Sequence, residues 1–235
     1  MNERVNFFAP ECPTAILTML GETWEFQNQN AEQRSLDYIN ELGQRGDEIL
    51  NALVNGKTST GWQFVSTATS GKLKLPKIGQ VVGGYHIDSA EVSWDRGAIK
   101  PKLTIVGHAH DGVEGGHNTC RTYSPTIEVD ITSFGMPADL GAIKLTEAAE
   151  VDFRSARYSL ACSHIDETGR TGNQLKGDNH DGVESLSVEF TGDAASTDYQ
   201  ITDGWSKPSS SKTPSNTGVT TSSIELVHHL QSNEQ

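Results

Sequence analysis

Two histidines spaced two residues apart, in Gly107-His108-Ala109-His110, are the sharpest chemical signal in the chain. They follow the apolar run Leu103-Thr104-Ile105-Val106, which reads as a strand, and on a strand positions i and i+2 point to one face. Two imidazoles so placed could share a metal ion, with Asp111, Glu114 or His117 as a third ligand. The candidate metal set is therefore His108, His110 and His117. The plainer reading, polar residues flanking a turn, stands beside it, because no nucleophile with an adjacent base accompanies the pair.

Other chemistry is thinner. Gly56-Lys57-Thr58 ends like a phosphate-binding loop, but Asn51 stands where the first glycine belongs, so the segment reads as a helix stop. Cys162 near His164 has no electropositive neighbour and reads as a small buried thiol. Asp111 with Glu114, and Asp181 with Glu184, could hold Ca²⁺, yet they lack the alternating acids of an EF-hand loop. Trp62, Trp94 and Trp205 would stack on sugar rings if they shared an exposed surface; core or rim positions are the alternative. Gly107-His108-Ala109-His110 also resembles the last motif of the calcineurin-like metallophosphoesterases, and Gly177-Asp178-Asn179-His180-Asp181 is similar to their Gly-Asn-His-Asp element. That resemblance implies a two-metal hydrolase on an α/β sandwich. Here the two elements come in reverse order, and residues 1 to 61 hold no Asp-containing motif to bridge two ions.

The elements that must position these residues are mostly strands. A compound pattern occurs twice: His-Ile-Asp at 86 to 88 and 164 to 166, followed each time by His-Asp-Gly-Val-Glu, at 110 to 114 and 180 to 184. Asp-Gly flanked by β-like residues reads as a tight turn, so two related hairpin-like repeats are expected. Strands are expected within 62–68, 81–94, 102–109, 126–131, 151–162, 184–190 and 223–230. In the sixth, Leu186, Val188 and Phe190 share one face. Before them, residues 15 to 20 form one or two helical turns or an extended arm. Residues 30 to 56 carry apolar positions at helical spacing (Leu36, Ile39, Leu42, then Ile49, Leu50, Leu53) and predict a broken amphipathic helix. Residues 204 to 222 are rich in Ser, Thr and Pro and predict a flexible loop before a terminal strand. The expected organisation is an arm and helix over 1–61, a β domain over 62–203, a loop over 204–222, and a terminal strand and tail over 223–235. The fold class is mainly β, an antiparallel sandwich or barrel with a short N-terminal helical segment.

With 31 acidic and 18 basic residues the chain carries a formal charge of −13, which repels nucleic-acid backbone. Its three cysteines, Cys12, Cys120 and Cys162, have no close spacing, so neither a disulfide framework nor a Cys-based zinc site is expected. No secretion signal or membrane-spanning run is read. The Gly, Ser and Thr-rich strands, the repeated pattern, the acidic total and the polar insertion before a last strand together resemble bacteriophage virion structural proteins of the tail-tube or baseplate class. That resemblance implies a non-enzymatic subunit without a cofactor, made in the host cytoplasm and assembled with copies of itself, as a ring or tube, and with other virion proteins. DNA would at most pass through a negative lumen. The alternatives are a metal-dependent hydrolase using His108 and His110, and a carbohydrate-binding β-sandwich.

Overall fold

The computed structural model describes residues 12–35, 38–42, 48–53, 57–68, 71–97, 100–110, 121–128, 130–131, 139–168, 174–214, 218–231 and 233–234. One short helix, α1 (Thr14–Leu20), leads through a 3₁₀ turn into a succession of strands. These are β1 (Trp24–Gln29), β2 (Gln33–Ser35), β3 (Tyr38–Leu42), β4 (Glu48–Leu53), β5 (Lys57–Ser66), β6 (Gly71–Lys72), β7 (Val81–Val82), β8 (Tyr85–Asp95) and β9 (Lys102–His110). They continue as β10 (Arg121–Thr122), β11 (Asp130–Ile131), β12 (Ile143–Leu145), β13 (Asp152–Thr168), β14 (Gln174–Thr191), β15 (Tyr199–Ile201), β16 (Ser206–Pro214), β17 (Thr220–His229) and β18 (Asn233–Glu234). The main sheet runs β1-β5-β9-β8-β13-β14-β17-β16, with β2 beside β5 and β7 beside β8, and every pair is antiparallel. Its end strands do not pair with each other, so the sheet is not a closed barrel.

Register is fixed by apolar rows that cross the sheet. Phe26, Phe64, Leu103, Val92, Tyr158, Leu186 and Leu226 are successive cross-strand partners over seven strands. Directly paired residues share a face, so a slip of one residue in any strand would turn its part of this row to the wrong side. A parallel row of Trp94, Ala156, Val188 and Ile224 lies beside it. All but the half-buried Phe26 are buried, and α1 adds Ile16 and Leu20 to the same apolar cluster. Each such burial stabilises the fold by about 1.5–3 kcal/mol. The α/β sandwich implied by the metallophosphoesterase resemblance is thus not this fold.

Three sequence expectations need correction. β3 and β4 pair as antiparallel strands, with Ile39 opposite Ala52 and Glu41 opposite Leu50, where the sequence predicts a broken helix. Intrinsic propensity is a weak force, and strand pairing overrides it. The boundary at residue 61 falls inside β5, and β1 and β2 belong to the main sheet. The Ser/Thr/Pro segment holds β16, paired with β17 from Ser206↔Val227 to Pro214↔Thr220. All nine of its residues are exposed, so it joins the ladder without having anything to bury.

The repeat also differs from expectation. Each His-Ile-Asp begins on the first strand of a paired hairpin (β8–β9, β13–β14) and each His-Asp begins on the second, so the hairpin relation holds. The second His-Asp-Gly-Val-Glu is not a turn, however, because it lies within β14. Ala161 pairs with Val183 and Ser163 with His180, which leaves Asp181 and Gly182 opposite the single residue Cys162. This is a β-bulge, and Asp181 takes a positive φ of 53° in it. Gly182 is required there, since an added Cβ would lie 2.2 Å from Cδ1 of Tyr123. The first copy beyond His110 lies outside the described residues. We expect Gly182→Ala to destabilise the protein by about 1–3 kcal/mol in urea denaturation, the usual cost of overpacking. An unchanged midpoint would contradict this placement of the Tyr123 ring.

Candidate functional site

The polar cluster is built by a second bulge, in β8. Gly107 pairs with Ile87 and Val106 with Ser89, so Asp88 is the extra residue. Alternation from Leu103 and Ile105 puts Gly107 on the core side and His108 on the other. The bulge then carries Ile87 into the core and aligns His86 with His108. Without the extra residue, His86 would share the face of Ala90 and Val92. Both imidazoles are nonetheless 0 % exposed, so the sheet is covered on both sides at this point.

Asp88 ties the two rings together. Its Oδ1 lies 2.8 Å from His86 Nδ1 and 2.7 Å from His108 Nδ1, and its Oδ2 is 2.8 Å from the latter. Burial works to raise the Asp88 carboxyl, but hydrogen bonds from His108 and His86 outweigh it and hold the group well below the usual carboxylate range. An ionised carboxylate only accepts, so each ring carries a proton on Nδ1 and donates from it. Burial also lowers the pKa of His108, with the Asp88 hydrogen bond acting the other way. His164 completes the cluster: its ring centre is 4.2 Å from that of His86 and 5.0 Å from that of His108. Its Nδ1 donates to Asn179 Oδ1 at 2.7 Å, and buried Asn179 donates in turn to the carbonyls of Gly79 and Arg121. Both His-Ile-Asp copies therefore contribute their first histidine to one place.

Glu184, the closing acid of the second repeat, forms a separate buried knot. It lies in the row Trp62, Ile105, Ala90, Leu160, Glu184 and His228, and is 0 % exposed. Its carboxylate accepts hydrogen bonds from Thr126 N (2.6 Å), Thr126 Oγ1 (2.5 Å), Tyr158 Oη (2.5 Å) and His228 Nδ1 (3.0 Å). Four donors satisfy the capacity of a carboxylate, and they clamp the 126 segment onto the sheet. Burial, then the Glu184 charge, pushes the Tyr158 hydroxyl far above its ordinary value, so it stays a donor.

Of the expected metal set, His108 is in the cluster. His110 ends β9 opposite Lys57, but its side chain lies outside the described residues, as do His117, Asp111 and Glu114. Sequence spacing alone does not single out His86, Asp88, His164 and Asn179 as a site. The repeated His-Ile-Asp was the available signal, but only the register shows that it converges on His108. Lys57 and Thr58 of the Gly56-Lys57-Thr58 stop instead open β5, and Gly56 lies outside the described residues. Trp62 and Trp94 are core residues and Trp205 is partly buried against the core, so they form no exposed sugar platform. Cys162 is half-buried, and burial with the nearby Asp88 charge pushes its thiol up to about 12, which leaves it a poor nucleophile. No protein-family profile matches the chain, and no curated protein is similar to it in sequence.

Two outcomes are expected. Tyr158→Phe leaves one Glu184 oxygen short of a buried donor and should cost about 1–3 kcal/mol, read from urea midpoints; a loss below about 0.5 kcal/mol would contradict the knot. Stability should also fall on acidification. Because the folded pKa of His108 is lowered, only the unfolded chain takes up its proton as pH drops below about 6.5, so stability is lost from there downward. The Asp88 contribution is complete above about pH 3.9 and is lost as pH falls toward its depressed folded value. Each group contributes at most about 1.4 kcal/mol per pH unit. His108→Gln should flatten the dependence between about pH 6.5 and 5, and a wild-type midpoint constant over that range would contradict it.

Proposed function

We propose that this chain is a self-assembling structural subunit, of the kind that builds phage tail tubes or baseplates, and that it performs no catalytic step. The observation that carries the reading is the asymmetry between the two edges of the main sheet. At one edge, β16 contains Lys207, Pro208, Lys212 and Pro214, which are devices that blunt an edge against pairing. At the other, β1 and β2 line the same side of β5 from residue 24 to 35, joined by the Asn30 N–H to Gly61 carbonyl bond of 2.7 Å. That edge contains no Pro or Lys, and among the described residues no strand pairs with its outer side. Such an edge is a template for strand addition.

The long β13–β14 hairpin supports the same reading. Its pairing with β8 stops at Ala161↔Ser89 and with β17 at Val183↔His229, while its own ladder continues to Thr168↔Gln174. From Ile165↔Asp178 outward it is a two-stranded ribbon among the described strands, and such a ribbon is marginal alone in water. A neighbouring copy would complete it. The charge of −13 suits a surface past which DNA slides without sticking.

The test is light scattering and electron microscopy of the purified chain across protein and salt concentration. Rings, tubes or other closed oligomers are expected, and a strict monomer at high concentration would overturn the reading. Gln27 is exposed and unpaired at the β1 bulge, so Gln27→Pro should be tolerated by the fold but block the edge. It should abolish assembly with the circular dichroism spectrum unchanged; assembly by a folded Gln27→Pro protein would exclude the β1 edge as the contact.

A further inference from the structure

We propose that the Asp88 carboxylate and the Nδ1 atoms of His86 and His108 bind one divalent transition cation of the Zn²⁺ or Fe²⁺ class. One ligand atom from each of the three residues lies within 4.8 Å of the other two. Two imidazoles with one carboxylate are a ligand set that suits these ions, whereas Mg²⁺ and Ca²⁺ favour all-oxygen shells.

The site is built on rigid elements. His86 and His108 are a cross-strand pair, fully buried, so their rings cannot swing away. Asp88 is the bulge residue between them, and a bulge re-aims a side chain that a regular strand would place elsewhere. The His-to-carboxylate separations of 2.7–2.8 Å need to widen only to about 3.3 Å, the ligand spacing of a tetrahedral ion with bonds of about 2.0–2.1 Å. Coordination uses the Nδ1 lone pair, so in the loaded site each ring carries its proton on Nε2 and not on Nδ1. The Asp88 side chain is 27 % exposed and provides the path by which the ion enters and a coordinated water remains. His164 packs against both rings but stays outside the ligand set, because the ligand atoms that lie within 4.8 Å of one another come from His86, Asp88 and His108 alone among the described residues. It limits the room on that side and favours a low coordination number.

This differs from the sequence-based set of His108, His110 and His117 in two of its three ligands, and it is independent of assembly. The experiment uses the untagged full chain with Zn²⁺ alone as the probe. Calorimetry should give one ion per chain, and long-range ¹⁵N–¹H spectra should show the Nδ1 resonances of His86 and His108 shifting together while that of His164 keeps its Asn179 bond. Asp88→Asn and His108→Asn should each weaken binding by at least about 100-fold. No binding at tenfold excess of Zn²⁺ would overturn the proposal. So would shifts confined to other histidines, a result readable on the wild-type protein even if the variants fail to fold. Undiminished binding by folded Asp88→Asn would remove the carboxylate from the set.

Discussion

One extra residue in β8 decides which face of the sheet receives the buried His86. Asp88 breaks the pairing with β9, so Ile87 turns into the core and His86 turns to face His108. Leaving the bulge out would set a histidine among Ala90, Val92 and Leu103, where its ring nitrogens would have to be satisfied inside an apolar row. The bulge therefore sorts polar from apolar residues across one strand, and the displaced carboxylate fastens the sorted histidines. The rest of the sheet supports that arrangement, because the bulge is defined only against a β9 whose register is fixed by Leu103 and Ile105.

The two bulges use the two halves of the repeat differently. At His-Ile-Asp in β8 the third residue is the bulge, whereas in the second His-Asp-Gly-Val-Glu the bulge falls at Asp-Gly. In each case, pairing with a neighbouring strand ends near the irregularity, and another segment takes its place. Beyond Ser89, β8 passes from β13 to residues 79 to 82: Ile87 donates to Gln80 and accepts from Gly79, and His86 pairs with Val81. Beyond Val183, β14 passes from β17 to the segment around Arg121, which accepts from Asn179. Glu184, next to this exchange, holds the 126 segment by two bonds and reaches across to Tyr158 and His228. Buried polar groups thus sit where the ladder changes partners.

Much of the strand content was legible because one-sided burial leaves a period of two. Leu186, Val188 and Phe190 were read as one face and are all fully buried. The helix expected over 30 to 56 failed because Ile39, Leu42, Ile49 and Leu50 satisfy a helical spacing and also fit a hairpin, with Gly43 and Gly46 between them. The 204 to 222 segment reads as a loop in sequence because an exposed edge strand needs no hydrophobic signature. His86 and Asp88 were visible as a repeated motif but not as partners of His108, since a bulge is a relation between two strands and leaves no mark in either alone. Asn179 reaches His164 through the same kind of relation.

The tautomers of the two paired rings test this account most directly. Long-range ¹⁵N–¹H spectra of the ion-free protein at neutral pH should show His86 and His108 both protonated at Nδ1, as donation to one Asp88 carboxylate requires. Rings with a bare Nδ1, or shifts averaged between the two tautomers, would mean that Asp88 does not join them and that the bulge has another purpose.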